Sequence, residues 1–313
     1  WLKLVQIEAT RGRLDPARKI LAFVADIAGH TSRWQLSIAL LAHELDMEDR
    51  FRRSINFLVD RRLNRADALN LLDTHYGDTE KCLAALDPAN HTAYLECLMR
   101  WGRLSEARRV WQHISAHKSL EEEILLKYID FLISNKVIAE ARTIWRAHSG
   151  INGLTNSGFE HKPSGKGFDW RVHRSPNRSW HIQPVSGEGR SNSSAIKISF
   201  FGKENINFHH LYQIVPLPPD TPYRLTYWWR GMRLSTDQRP FIDIEGYDCR
   251  DFHVRGPMLS ESSGWRQERI EFALPPGCNA VRVRLRRKPS KRFDNKIEGT
   301  LWLDDFKVAP LNR

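Results

Sequence analysis

The sequence is short of everything that would announce a catalyst or a membrane protein. No apolar run in its 313 residues approaches the roughly 18–20 needed to cross a bilayer. Its four cysteines, Cys82, Cys97, Cys249 and Cys278, contain no CxxC pair. That argues against the usual zinc and redox spacings and leaves them as buried apolar thiols. No GxSxG, P-loop or dinucleotide fingerprint occurs. The fragment HELDM, from His43 to Met47, lacks the second histidine of HExxH, and Met47 stands in its place. His209 and His210 are adjacent, so on a strand they face opposite sides and cannot share one ion. No signal peptide or methionine precedes Trp1. The expectation is a piece of a longer protein, with any targeting or membrane segment upstream.

Proline is scarce in only one half. Two of the 15 prolines lie in residues 1–150, and most of the glycines lie beyond them. Charge divides in the same way. Residues 1–150 hold 22 Lys+Arg and 20 Asp+Glu, a net of +2; the totals of 48 and 37 leave 26 and 17, a net of +9, for residues 151–313. This expects two domains, 1–150 and 151–313, divided where Gly150 and Gly153 can end a helix.

The first half repeats itself. In "YLECLMRWGRLSEARRVW" and "YIDFLISNKVIAEARTIW", Tyr94 and Tyr128, Leu98 and Leu132, Ala107 and Ala141, and Trp111 and Trp145 are each 34 apart. Gly12, Leu14 and Ala17 stand as Gly102, Leu104 and Ala107 do. The middle of this half fits less well but keeps a helical apolar period. The pattern resembles tetratricopeptide repeats. The resemblance implies an α-solenoid of stacked antiparallel helix pairs with Tyr94, Trp111, Tyr128 and Trp145 in the core. It also implies docking of a protein partner, or a role as spacer or scaffold.

In the second half the period becomes two. Ile196, Ile198 and Phe200 alternate with Lys197, Ser199 and Phe201; Tyr223, Leu225, Tyr227 and Trp229 with Arg224, Thr226, Trp228 and Arg230; Val281, Val283 and Leu285 with Arg282, Arg284 and Arg286. Strands are also expected near FDWRV, SWHIQPV, NFHHLYQIV, PFIDIEGY, WRQERIEFAL and TLWLDDFKV. About nine short strands separated by turn signals make an antiparallel β-sandwich or jelly roll. The opening LTNSGFE, then FDWRV, YRLTYWWRG and GWRQERIEFALPPGCNAVRVRL, and the closing GTLWLDDFKV, resemble the jelly-roll carbohydrate-binding modules attached to cellulases and xylanases. The resemblance covers 154–311. It implies a polysaccharide ligand and a structural calcium held by Glu160 with Asp304 or Asp305, hard oxygen donors that suit that ion.

Sugar recognition needs aromatic faces beside polar groups. The candidates are Trp170, Trp180, Trp228 and Tyr247, with Arg230, Asp243, Arg284 and Arg286. Two alternatives stay open: Trp170 and Trp180 as core, and the outward arginines as cross-strand partners of Asp243 and Glu245. Arginine-rich surroundings suit an acidic or sulfated glycan. The pair Asp243 and Glu245 is a poor glycosidase, because crowding by arginine removes the proton donor. The seven cations within 282–292 permit phosphate contacts, yet no recognition helix, zinc finger or RNA-binding motif accompanies them, so nucleic acid is the lesser alternative. The sequence thus expects a non-catalytic binding or scaffold protein of the periplasm, cell envelope or secreted space, engaged in exopolysaccharide or envelope assembly. The main alternative is a scaffold that binds only proteins.

Overall fold

The computed structural model describes residues 1–28, 31–117, 120–175, 178–191 and 193–311. Ten α-helices come first among them: α1 (Leu2–Thr10), α2 (Leu14–Ile27), α3 (Ser32–Glu44), α4 (Glu48–Asp60), α5 (Arg65–Tyr76), α6 (Thr79–Ala85), α7 (His91–Arg100), α8 (Leu104–His117), α9 (Glu122–Ser134) and α10 (Ile138–Ser149). Two compact units follow from the contacts, Trp1–Leu125 and Leu126–Arg313.

One turn geometry recurs between helices. After α1, Gly12 N–H donates to the Ala9 carbonyl and Arg13 N–H to that of Glu8. After α7, Gly102 and Arg103 donate to Met99 and Leu98; after α9, Lys136 and Val137 donate to Ile133 and Leu132. The turn needs a left-handed residue. Gly12 and Gly102 take it at φ 73° and 72°, and Lys136, 34 positions after Gly102, takes it at 63°. The apolar positions repeated at 34 residues share their burial as well: Tyr94 and Tyr128, Leu98 and Leu132, and Ala107 and Ala141 are fully buried, and Trp111 and Trp145 nearly so.

The second unit contains the sandwich. Its strands are β1 (Arg171–Val172), β2 (Trp180–Ser186), β3 (Ser194–Phe201), β4 (Phe208–Pro216), β5 (Pro222–Met232), β6 (Phe241–Gly246), β7 (His253–Met258), β8 (Arg266–Ala273), β9 (Ala280–Arg287) and β10 (Glu298–Pro310). The first sheet runs β1-β4-β9-β6-β7 and the second β2-β3-β10-β5-β8, with every pairing antiparallel. Alternation works as the sequence requires. Ile196, Ile198, Phe200, Tyr227, Trp229, Val281, Val283 and Leu285 point into one shared core. Strand β7 is the addition to the nine expected. Its segment HVRGPM offers neither apolar alternation nor freedom from Gly and Pro, so nothing local marks it.

The helix-to-strand change falls at Gly150, which caps α10 at φ 72°. The compact units divide earlier, because α10 and most of α9 pack on the sandwich. Trp145 meets Phe168 edge-on at 6.1 Å. Asp130 accepts the Gly167 amide and an Arg171 guanidinium N–H, both at 2.9 Å. Gly167 is held at φ 53°, directly against the Trp145 ring.

The reading of four free thiols is corrected. Cys249 and Cys278 form a disulfide with Cα atoms 5.0 Å apart, while Cys82 and Cys97 are the buried free thiols. The two paired cysteines lie in different loops, 29 residues apart, so sequence spacing could not match them. Asp248 beside them accepts the backbone amides of Asn279 and Ala280 and so aligns the two loops.

Two outcomes are expected. Alkylation of the denatured chain without reductant should label two cysteines, and four after reduction; reduction should lower stability by about 2–4 kcal/mol in a melting experiment. Gly167→Ala should cost about 1–3 kcal/mol in denaturant unfolding, through its left-handed backbone and the Trp145 overlap. Gly165→Ala, at φ 69° but in open space, should cost less.

Candidate functional site

The residues singled out from the sequence do not form one site. Arg284, Arg286, Asp243 and Tyr247 belong to the first sheet and the loop after β6, while Trp228 and Arg230 lie on the second sheet. Two sheets packed face to face turn their outer surfaces in opposite directions.

The first-sheet set is occupied by its own partners. Arg284 donates to Asp243 at 2.8 Å and to Glu245 at 2.7 Å, and Arg282 donates to Glu245 at 2.8 Å. Register explains it: Asp243 stands opposite Arg284, and Glu245 opposite Arg282. Asp243 is also a partner of His253 and is only 2% exposed. The cross-strand alternative therefore describes Arg282, Arg284, Asp243 and Glu245. Tyr247 is a packing residue. Its hydroxyl donates to the Ile133 carbonyl at 3.3 Å, and the Lys136 ammonium sits 3.2 Å from its ring centre. Arg286 is half-buried and, among the described residues, has no carboxylate partner.

The basic run 282–292 is likewise partly spent. Arg287 is fully buried, donating to the carbonyls of Gln238, Ile206 and Asn295, with burial lowering its pKa. Arg292 pairs with Asp237 at 3.5 Å. The run therefore mixes a buried and a paired arginine with the exposed Lys288 and Lys291.

Trp170 leaves the list of platforms. It is 1% exposed, packs against Phe159 and Phe306, and donates its indole N–H to the Asn156 carbonyl at 3.2 Å. Trp180 is also mostly buried and stacks on His210 at 4.2 Å, where burial pushes the imidazole pKa down to about 4. His43 of HELDM lies on α3. Its Nδ1 meets Nδ1 of His75 at 2.6 Å, and Nε2 of His75 meets Glu48 at 3.1 Å.

The second sheet is different. Gln183, Lys197, Trp302 and Arg230 stand directly opposite one another on β2, β3, β10 and β5. They form a row perpendicular to the strands, which lie about 4.8 Å apart. Trp265 extends the row past β5, its ring centre 5.4 Å from the Arg230 guanidinium. The Trp302 ring lies 4.3 Å from the Arg230 guanidinium and 5.1 Å from the Lys197 ammonium, and its N–H donates to Glu188 at 2.7 Å. Glu188 also accepts from Lys197. Beside the row, half-buried Trp228 carries the Arg190 guanidinium at 4.5 Å. Cation–π contact fixes each charge over an aromatic face. Trp302 itself is nearly buried, so it anchors the cations, while Trp228 and Trp265 keep accessible surface. Sequence reasoning missed Trp302, Trp265, Lys197, Arg190 and Glu188. The alternation of Leu301, Trp302 and Leu303 does turn Trp302 outward, but the register that sets it opposite Arg230 is a property of the sheet.

Glu160, Asp304 and Asp305 do converge. A side-chain carbon on Gly158 would have one oxygen of each at 3.4, 3.5 and 3.6 Å, so the missing Cβ leaves a cradle of hard donors. Asp304 is fully buried and accepts the Arg190 amide at 2.9 Å. Burial, then the charges of Asp305 and Glu160, raise its pKa. Ser194 N–H contacts Glu160, and Arg190 Nε contacts Asp305. Among the described residues, the group of three ligand types within 4.8 Å of one another is Asp248, Cys249 and Cys278, and the disulfide consumes its sulfurs. The three carboxylates are more widely spread than that, so an ion would have to draw them inward.

No family model and no curated protein matches the chain. Solved structures resemble its second half. TmCBM61 in complex with beta-1,4-galactotriose is 19% identical, over 51% of this chain and 99% of that one, with a TM-score of 0.35. A putative sugar binding protein from Bacteroides thetaiotaomicron is 12% identical over 51% and 100%, TM-score 0.38. The CBM22-1 xylan-binding domain of Paenibacillus barcinonensis Xyn10C is 9% identical over 50% and 93%, TM-score 0.33. Identities this low carry no ligand across.

The sign of the Asp304 effect is testable. Its folded pKa lies above the unfolded one, so without divalent ions stability falls as pH rises from the ordinary carboxylate range through the raised value, and stays flat above it. Asp304→Asn should remove that decline in melts taken from pH 3 to 8.

Proposed function

We propose that the sandwich is a non-catalytic module that binds a polysaccharide bearing carboxylate or sulfate groups along the outer face of the second sheet. The observation that carries this reading is the row Lys197, Trp302, Arg230, Trp265, flanked by Trp228 and Arg190. Arg230, held over indole rings with no carboxylate partner among the described residues, offers an anion contact next to apolar faces, the pairing an acidic pyranose requires, while Lys197 and Arg190 are shared with Glu188 and Asp305. Catalysis finds no support in Asp243 and Glu245, because arginines occupy both carboxylates. In this proposal calcium fills the cradle of Glu160, Asp304 and Asp305 and acts only on stability. The helical half, read as tetratricopeptide-like, docks a protein partner. The Cys249–Cys278 disulfide favours an oxidising compartment, such as the periplasm, cell envelope or secreted space. Exopolysaccharide assembly or export suits that combination.

Affinity electrophoresis of the full chain in gels carrying neutral or acidic polysaccharide, at two salt concentrations, tests the ligand. Acidic polymer should retard the protein, and Trp228→Ala or Arg230→Ala should each weaken the effect about tenfold. Retardation that vanishes with salt and ignores Trp228→Ala would reveal charge alone, nucleic acid included. For the ion, calcium should raise the melting temperature of the native chain and leave Asp304→Asn unmoved. An equal rise in both would sink the calcium site.

A further inference from the structure

The second unit has a cavity of about 680 Å³ at one side of the sandwich. Its origin is topological. Strand β1, at the edge of the first sheet, has two residues, while β2, at the edge of the second, has seven; neither has a partner on its outer side. The edge therefore stays open, and core-facing Val172 and Trp180 become cavity wall. Trp180 stacks on His210.

The charge of the lining is one-sided. Among the described residues, Lys162, Arg174 and Arg178 border the cavity, no aspartate or glutamate does, and none of the three cations has an ion-pair partner. Elsewhere in this unit Arg171, Arg190, Arg224, Arg282 and Arg284 meet carboxylates, whereas, among the described residues, Arg230 and Arg286 share the unpaired state of the cavity cations. Unpaired cations around a concavity with low-dielectric walls focus a positive potential and attract an anion.

The cavity also joins the row on the second sheet. Gln183 lines it and stands opposite Lys197, which stands opposite Trp302. Strand β2 is the last in its sheet, so the row ends where the cavity begins. We infer that the cavity receives the acidic terminal sugar of the polysaccharide laid across that row, an assignment that rests on the reading above. Two arginines and a lysine take the carboxylate, the indole and Val172 take the apolar face of the ring, and the module recognises a chain end.

Titration calorimetry of the full chain with D-glucuronic acid, D-glucose and sodium sulfate tests this. Glucuronic acid should bind, and the exposed double substitution Arg174→Ala with Arg178→Ala should weaken it about tenfold or more, while Arg224→Ala, at an exposed arginine outside both the row and the cavity, leaves it unchanged. Glucose should bind far more weakly, and sulfate should compete poorly. Glucuronic acid binding unaffected by the double substitution would overturn the assignment, as would sulfate competing as an equal, which marks an anion site without sugar recognition. Gel retardation by acidic polysaccharide separates the two proposals. Retardation without glucuronic acid binding removes the cavity and keeps the row; glucuronic acid binding without retardation does the reverse.

Discussion

Much of the second unit follows from one constraint on strand β10. It lies mid-sheet between β3 and β5, so Leu301 and Leu303 must enter the core. A strand that buries those two turns Trp302 and Asp304 the other way. Trp302 then meets Lys197 and Arg230 on its neighbours, and Asp304 meets the carboxylates around Gly158. A register shift between Asp304 and Lys307, with Asp305 at φ 48°, lets Phe306 return to the core and aims Asp305 toward Glu160. One strand thereby supplies an anchor of the cationic row and two acids of the cradle.

Electrostatics then separates the two outer faces. Both carry arginines and acids, but they pair them differently. On the first sheet Asp243 and Glu245 stand in register with Arg284 and Arg282, and the charges cancel within hydrogen-bond distance. On the second sheet the neighbours of Arg230 are indoles, which fix its position without neutralising it. The basic excess counted for residues 151–313 is thus not uniformly available. Its cations without a carboxylate partner among the described residues include Arg230 of the second-sheet row and Lys162, Arg174 and Arg178 at the open edge.

The helical half shows how a repeat can be legible while its boundary is not. The 34-residue spacing and the glycine turns can be read from Gly12 and Gly102, and Lys136 keeps the turn without glycine. The same spacing gives no warning that the last helix pair would join the sandwich. That depends on Trp145, Asp130 and Gly167, whose meeting is decided by packing.

The sequence by itself determined the two classes of structure, the positions of nine strands, and, for three of them, which side chains face the core. Periodicity is a local property, and alternation along Tyr223–Trp229 or Val281–Leu285 needs no knowledge of partners. The convergence of Glu160 with Asp304 and Asp305 was carried by family likeness, not by spacing. Only the tertiary structure decided which strands became neighbours. It thereby assigned Trp228 and Arg284 to opposite faces, withdrew Trp170 into the core, joined Cys249 to Cys278, and aligned Trp302 with Arg230. The physical reason is that strand order and register are set by the summed burial of the whole core, which no single stretch of chain encodes.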